Sequence, residues 1–331
     1  MLFLAGDIGG TKTKLGLFTH REGRLVRLRD HRYPSEPGAH PDRLVVEFAG
    51  SDRDRIGAVC LGVAGPVVDG SVHATNLPWD LEESSLGEAL GGVPCRLIND
   101  LEANARGLSA LDDSDLLVIQ TGRVGSPVGT MISAGTGLGE VAFLRDEAGL
   151  RVLPSEGGHA DLAPVDSTDV PLLQALWKKY GHVSVERVVS GPGIAEMYRI
   201  LADVPGSPSA DSEVAAEIQA ADDPAASITN AAIKHRCPLC EEVLRRFVRF
   251  YGAEAGNLAL RLLSTGGLYV GGGIAPKILP ALTSGDFLEA FLGKGRMRDF
   301  LRSVPITVVL NEETALLGAA LLAAELSSAP R

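Results

Sequence analysis

The segment "GDIGGTK" sets Gly6, Asp7, Ile8, Gly9, Gly10, Thr11 and Lys12 together between two apolar runs. Backbone N–H groups left bare by glycine, with Thr11 and Lys12 as further donors, could cradle a phosphate, and Asp7 could stand near a divalent cation. The same residues could equally make a tight strand-to-strand turn, where glycine takes a positive φ or packs closely. "LINDLEA" brings Asn99 and Asp100 to the end of an apolar strand, at the carboxyl edge where open α/β sheets bind ligands. Asn99 followed by Glu102 has the form of a capping box, which starts a helix and leaves Asp100 without a structural duty. "PSEGGHADLAP" holds Glu156 and His159 around Gly157 and Gly158. Glu-x-x-His on a helix would be a metal pair. The glycines disfavour a regular helix, so the segment suits hydroxyl recognition from a loop, with a plain surface loop as the alternative. In "HVSVERVVSGPG" Glu186 sits on an expected helix before a break at "SGPG".

The elements that must carry these residues alternate along the chain. "LFLAGDI", "TKLGLFT" and "RLVRLRDHRY" are three strand-like runs joined by tight turns, an antiparallel meander whose third strand is half exposed. "HPDRLVVEFAG" predicts a short helix, "IGAVCLGVAGPV" a buried strand, "LGEALGG" a helix, and "CRLIND" a strand entering the helix "LEANARGLSAL". After the polar junction "LDDSD" and the strand "LLVIQTG", the stretch "GTMISAGTGLGEVAFLR" repeats the opening device of strand, Gly-Thr turn (Gly135, Thr136) and strand. Helices dominate from "STDVPLLQALWKKYG" onward, with helical periodicity running through "CPLC". "GLYVGGGIAP" ends a buried strand in a glycine turn, where Gly271 and Gly272 could wrap a nucleotide or simply pack closely. Strands "PITVVL" and helix "TALLGAALLAAEL" close the pattern. A strand meander followed by strand–helix units is a mixed α/β architecture.

At 331 residues the chain exceeds what one compact core holds, so two domains are expected. A net charge of −11 disfavours nucleic acid or an anionic membrane as the main partner. The apolar run near the C-terminus is interrupted by Gly318 and is too short for the ~20 residues of a membrane span. Four cysteines, and no leader-like pattern over residues 1–10, predict reduced thiols in the cytoplasm. "CPLC" lacks a second Cys pair, so helix packing is favoured over zinc or redox chemistry. Neither a Gly-x-Gly-x-x-Gly turn nor a P-loop is present; Lys294 follows Gly293 without the upstream glycine.

Taken in order, "GDIGGT", "GVAGPV", "LINDLEANA", "SAGTGLG", "SEGGHADLAP", "GHVSVERVVSGPG" and "VGGGIAP" resemble the bacterial glucokinases of the hexokinase-like, actin-fold superfamily over nearly the whole chain. The resemblance implies two actin-like (ribonuclease H-like) α/β domains with mixed sheets flanked by helices, closing on a cleft. The small domain would be 1–112 with 312–331, the large one 113–311. It implies transfer of the γ-phosphoryl group of MgATP to the 6-hydroxyl of glucose. Asp100 resembles the general base, and Asn99, Asp100, Glu156, His159 and Glu186 the sugar-binding set. Gly6 to Lys12 resembles the phosphate loop, with Gly135 and Thr136 facing it, Gly271 and Gly272 nearer the nucleotide, and Asp7 holding Mg²⁺ through water. A homodimer is the assembly the resemblance implies. A kinase of another hexose or amino sugar and a non-catalytic sugar sensor remain as alternatives. No Cys-rich zinc spacing follows His159 and no helix-turn-helix precedes Asp7, which favours the sugar-kinase branch over the related repressors.

Overall fold

The computed structural model describes residues 1–10, 12–34, 40–73, 80–123, 125–147 and 149–328. The chain divides into two compact units, one of Met1–Ser114, Val152–Pro154 and Asn311–Arg331, the other of Asp115–Arg151 and Ser155–Leu310.

The first unit contains β1 (Leu2–Ile8), β2 (Lys12–Arg21), β3 (Arg24–Pro34), α1 (Pro41–Ala49), β4 (Ile56–Val63), β5 (Ser71–His73), β6 (Asp80–Glu82), α2 (Glu83–Ala89), β7 (Cys95–Asn99) and α3 (Asp100–Gly107). Its five-stranded sheet has the order β3-β2-β1-β4-β7. The meander β1-β2-β3 is antiparallel, whereas β4 and β7 run parallel to β1. A mixed six-stranded sheet of order β11-β10-β9-β12-β13-β8 is built from β8 (Leu116–Gln120), β9 (Val128–Ala134), β10 (Leu138–Asp146), β11 (Gly149–Ser155), β12 (Leu268–Gly271) and β13 (Ile306–Val309), all in the second unit except Val152–Pro154 of β11. The helices of the second unit are α4 (Val170–Tyr180), α5 (Gly191–Asp203), α6 (Ser212–Ala220), α7 (Pro224–Ile233), α8 (Pro238–Leu262), α9 (Leu279–Leu282), α10 (Asp286–Leu292) and α11 (Arg298–Arg302). Helix α12 (Thr314–Ser328) returns to the first unit.

Alternation along β1 explains why both faces of the first sheet are covered. Leu2, Leu4 and Ile8 enter one core with Val45 and Phe48 of α1, while Phe3 and Ala5 enter the other with Ala319 and Ala323 of α12. The second unit has one large core in which α8 supplies Phe247, Tyr251 and Leu258 against Ile132 and Val270 of the sheet.

Two expected elements are corrected. Helical structure does not run through "CPLC": α7 ends at Ile233, His235 takes a positive φ of 53°, and Cys237 is the N-cap residue of α8, which starts at Pro238. Proline at the first helical position has no N–H to lose there, so the periodic pattern concealed a helix start. Cys237 and Cys240 are buried free thiols, in keeping with a packing role. The other correction concerns Glu186 and is described with the site. Among the described residues no helix is long and apolar enough to cross a membrane.

Helices α3 and α12 touch through glycine. A Cβ on Gly318 would strike the carbonyl of Ala103 and stand 2.6 Å from the Gly107 nitrogen, and one on Gly107 would strike the Thr314 carbonyl. Gly318→Ala gains roughly 1 kcal/mol of helix propensity, but backbone atoms cannot swing aside, and overpacking costs about 1–3 kcal/mol. The variant is therefore expected to melt at a lower temperature. An unchanged or raised Tm in a calorimetric scan would contradict this close helix approach.

Candidate functional site

In the first unit the parallel register sets Asp7 beside Gly62, Ile8 beside Val63, and Val63 beside Asn99. The ends of β1, β4 and β7 thereby form one carboxyl edge, the place where such sheets bind ligands. Hydrogen bonds tie it together: the Ala64 amide donates to the Ile8 carbonyl at 3.0 Å, and the Asn99 side-chain Nδ2 donates to the Gly65 carbonyl at 3.1 Å. Gly62 lets α3 start close to the sheet, since a Cβ there would stand 2.9 Å from the Cβ of Ala103. Asn99 is also the cap, its Oδ1 accepting from the Leu101 amide at 2.9 Å. One N–H of its amide is thus committed to Gly65 and its oxygen to the helix, and the side chain also hydrogen-bonds the Asp100 carboxyl.

Asp100 begins α3, and its Oδ1 also accepts from the Leu101 amide at 2.9 Å. Burial, then the neighbouring Asp7 carboxylate, push its pKa up to about 6, against the pull of the Leu101 amide and the Asn99 side chain. Burial also raises Asp7, opposed by Lys12, Lys14 and Arg32. The two carboxylates therefore sense each other at the same sheet edge.

The glycine segment divides by role. Gly6 is buried within β1, where a Cβ would stand 2.6 Å from Leu61 and 2.9 Å from Leu15, and the Ile8 side chain belongs to the core. Gly9 donates its amide to the Lys12 carbonyl at 3.0 Å, closing the turn, while Gly10 is exposed with open space where a side chain would be. Lys12 is exposed. Thr11 lies outside the described residues.

In the second unit the register places Gly271 beside Ser133, so the glycine turn after β12 and the Gly135–Thr136 turn after β9 share one sheet edge. Gly272 takes a φ of 85°, and a Cβ there would strike the Ala134 carbonyl, so only glycine lets the two turns approach this closely. Gly135 has open space over its Cα and Thr136 is exposed. The Gly191 amide, in the first turn of α5, donates to the Gly135 carbonyl at 2.8 Å.

Glu186 is not helical in the way the sequence suggested. It lies in a single 3-10 turn, Val185–Arg187, and "SGPG" is no break: Ser190 is the N-cap residue of α5, its Oγ accepting from the Gly193 amide at 3.1 Å. Ser followed by Gly-Pro-Gly is a helix start with proline near its first position, which local glycine content disguised. Nor is Glu186 a free surface acid. Its Oε2 accepts from the Leu138 amide at 2.9 Å, and a Cβ on Gly137 would stand 2.5 Å from that oxygen.

Glu156, His159 and Glu186 come together because two short segments pair: Leu162 donates to Val183 at 2.9 Å and Val185 donates to Ala160 at 3.0 Å. His159 closes the 3-10 turn Gly157–His159, with its ring 3.9 Å from a Glu156 oxygen on one side and 3.9 Å from a Glu186 oxygen on the other. Those separations exceed a hydrogen bond, and Glu156 and His159 are exposed, so all three side chains have capacity for an outside hydroxyl. Sequence reasoning gave no role to Gly62, Gly65, Gly137 or Ser190, although "GVAG" and "GTG" directly after apolar strands were the available signal.

A family model described as "Glucokinase" matches residues 4–326. The chain is 42% identical to a glucokinase of Nostoc punctiforme over 340 residues, covering 98% of this chain and 99% of that one. It is 41% identical to a glucokinase of a Synechocystis species, covering 98% of each. A crystal structure of a glucokinase from an Antarctic psychrotroph superposes with a TM-score of 0.82 at 34% identity, covering 98% of this chain and 99% of that one. With matches of this extent to both units described above, the chain belongs to the glucokinase family of ATP-dependent hexose kinases.

Proposed function

We propose that the chain transfers the γ-phosphoryl group of MgATP to the 6-hydroxyl of D-glucose, with Asp100 as the general base. The sugar oxygen bonds to the γ-phosphorus, the bond to the β–γ bridging oxygen breaks, ADP leaves, and the hydroxyl proton passes to the Asp100 carboxylate. Asp100 itself carries this reading: a carboxylate at a strand's carboxyl end, lifted to about 6 by burial and Asp7, accepts a proton near neutral pH. Its surroundings support phosphoryl transfer, which asks a protein mainly for alignment and charge stabilisation.

Asn99, Glu156, His159 and Glu186 are the proposed sugar contacts. Buried or pre-positioned polar groups left unpaired by a sugar lacking one hydroxyl reject it strongly. The glycine turns at Gly9–Gly10, Gly135–Thr136 and Gly271–Gly272 are proposed to meet the nucleotide with backbone N–H groups other than those of Gly9 and Gly135, which close their own turns onto Lys12 and Gly137. Asp7 suits a Mg²⁺ that arrives on ATP, because Mg²⁺ keeps several waters and takes one or two carboxylates beside the phosphates. When bound, that ion would neutralise phosphate charge.

A coupled assay of ADP release across glucose, fructose, mannose and N-acetylglucosamine tests the proposal. The highest kcat/KM is expected with glucose. A higher value with another sugar would make the chain a kinase of that sugar, and glucose binding by calorimetry without ADP release from any sugar would make it a sensor.

A further inference from the structure

Glu140 has no part in the chemistry above, yet it is 1% exposed in the middle of the second unit. It lies on β10 two residues after Leu138, so both side chains point to the same face of the strand. Its Oε2 sits so close beneath Gly157 that any Cβ there would strike it, and the Leu138 carbonyl stands in the same relation to Gly158. The two glycines are thereby pressed onto the start of β10, and the residues flanking them are Glu156 and His159.

On its other side Glu140 meets Glu254 of α8, which is 4% exposed. Glu254 accepts from Arg261 at 2.9 Å through Oε1 and from Asn257 at 2.8 Å through Oε2, so both its oxygens are satisfied as a carboxylate. Oε1 of Glu140, by contrast, is buried with no hydrogen-bond partner among the described residues. Two buried carboxyl groups can face each other only if a proton lies between them. With Glu254 held by a guanidinium and an amide, that proton belongs to Glu140. Burial, followed by Glu254, pushes the Glu140 pKa up to about 8, with Arg261 opposing. Tyr251 of α8 also senses it. An apolar side chain of this size would fill the space without the cost of burying an acid.

We propose that Glu140 is a positioning residue for the sugar-contacting loop: wedged between Gly157 and Glu254, its carboxyl sets the height at which Glu156 and His159 are presented. The inference rests on the reading of Glu156 and His159 as glucose contacts. Neutral Glu140 keeps the loop seated; an ionised Glu140 repels Glu254 and lifts it. Because the acid is neutral below its pKa, the weakening appears on the alkaline side.

Steady-state kinetics with varied glucose, on the full chain and across pH, test this. In the wild type, the glucose KM is expected to rise about 3–10-fold as pH climbs through about 8, with kcat and the MgATP KM little changed. Glu140→Gln retains an N–H that can face Glu254, so it is expected to keep a low glucose KM and to abolish the alkaline rise. Glu140→Leu is expected to raise the glucose KM at every pH. A folded Glu140→Leu with wild-type glucose KM, or an alkaline rise that persists in Glu140→Gln, would overturn the proposal. Should Glu140→Leu fail to fold, the pH comparison of wild type with Glu140→Gln decides. Glu156→Gln separates the two readings. An unchanged glucose KM there removes the sugar-loop reading itself, whereas a raised KM beside an unresponsive Glu140 series removes only the positioning role.

Discussion

Replacing Asp100 with asparagine is expected to lower kcat by about 10²–10⁴ while glucose affinity stays near the wild-type value. Asparagine keeps the size and the acceptor oxygen that meets the Leu101 amide at 2.9 Å, so α3 still starts where it does. What it removes is the capacity to take a proton. Calorimetric glucose titration alongside turnover checks both halves, and near-normal turnover would remove Asp100 as the base. The wild-type pH profile gives a second reading of the same group. Its pKa is raised from 3.8 to about 6, so kcat/KM should fall about tenfold per pH unit below that point as the base becomes protonated.

The same shift predicts a gain in stability. Between pH 3.8 and about 6 the folded protein binds more protons at Asp100 than the unfolded chain does. Stability from this group is therefore present at low pH and lost as pH rises through that window. At about 1.4 kcal/mol per pKa unit, the ionised carboxylate costs up to roughly 3 kcal/mol at neutral pH. Asp100→Asn should thus melt at a higher temperature than wild type at neutral pH, an advantage that shrinks as pH falls through the same window. Lower activity with higher Tm is the pattern expected of a strained active-site group.

Asp7→Asn is the second large effect: kcat should fall by roughly 10²–10³, the size found when one preorganised electrostatic group is removed. Asp7 stands against the charges of Lys12, Lys14 and Arg32. Lys14 is already paired with Glu313 and with Asp30, the latter at 3.3 Å, so it is not free to replace a lost function. Losing the carboxylate leaves the cations to attract ATP phosphates, so ground-state nucleotide binding should survive while the transition state suffers. A further readout distinguishes Asp7 from Asp100. Because Asp7 is one cause of the raised Asp100 pKa, the acid limb of the pH profile should move to lower pH in Asp7→Asn. Wild-type kcat with an unmoved limb would take Asp7 out of the machinery.

The amino-acid sequence alone carried the strand meander, the alternation of buried strands with helices, and the position of Asp100 after an apolar strand. These are written in short-range periodicity and in glycine placement, which act over a few residues. It also carried the ordered motifs by which the family is recognised. The surroundings of Glu186 were hidden, because a glutamate before Ser-Gly-Pro-Gly reads locally as the end of a helix. Only the pairing of Ala160–Leu162 with Val183–Val185 turns it toward His159. That pairing joins segments separated by the whole of α4, and no local pattern encodes it.

Glu140 shows the limit most plainly. In "GLGEVAFL" it is one polar residue in a strand, indistinguishable from a solvated one. Its burial, its place under Gly157 and its encounter with Glu254 depend on α8 lying across the sheet, more than a hundred residues later in the chain. Which residues could do chemistry, and at which strand ends they sit, follows from residue types and local periodicity along the chain. The tertiary structure decided their protonation and their company, because desolvation and neighbouring charge are set by what packs against a group, not by what precedes it in the chain.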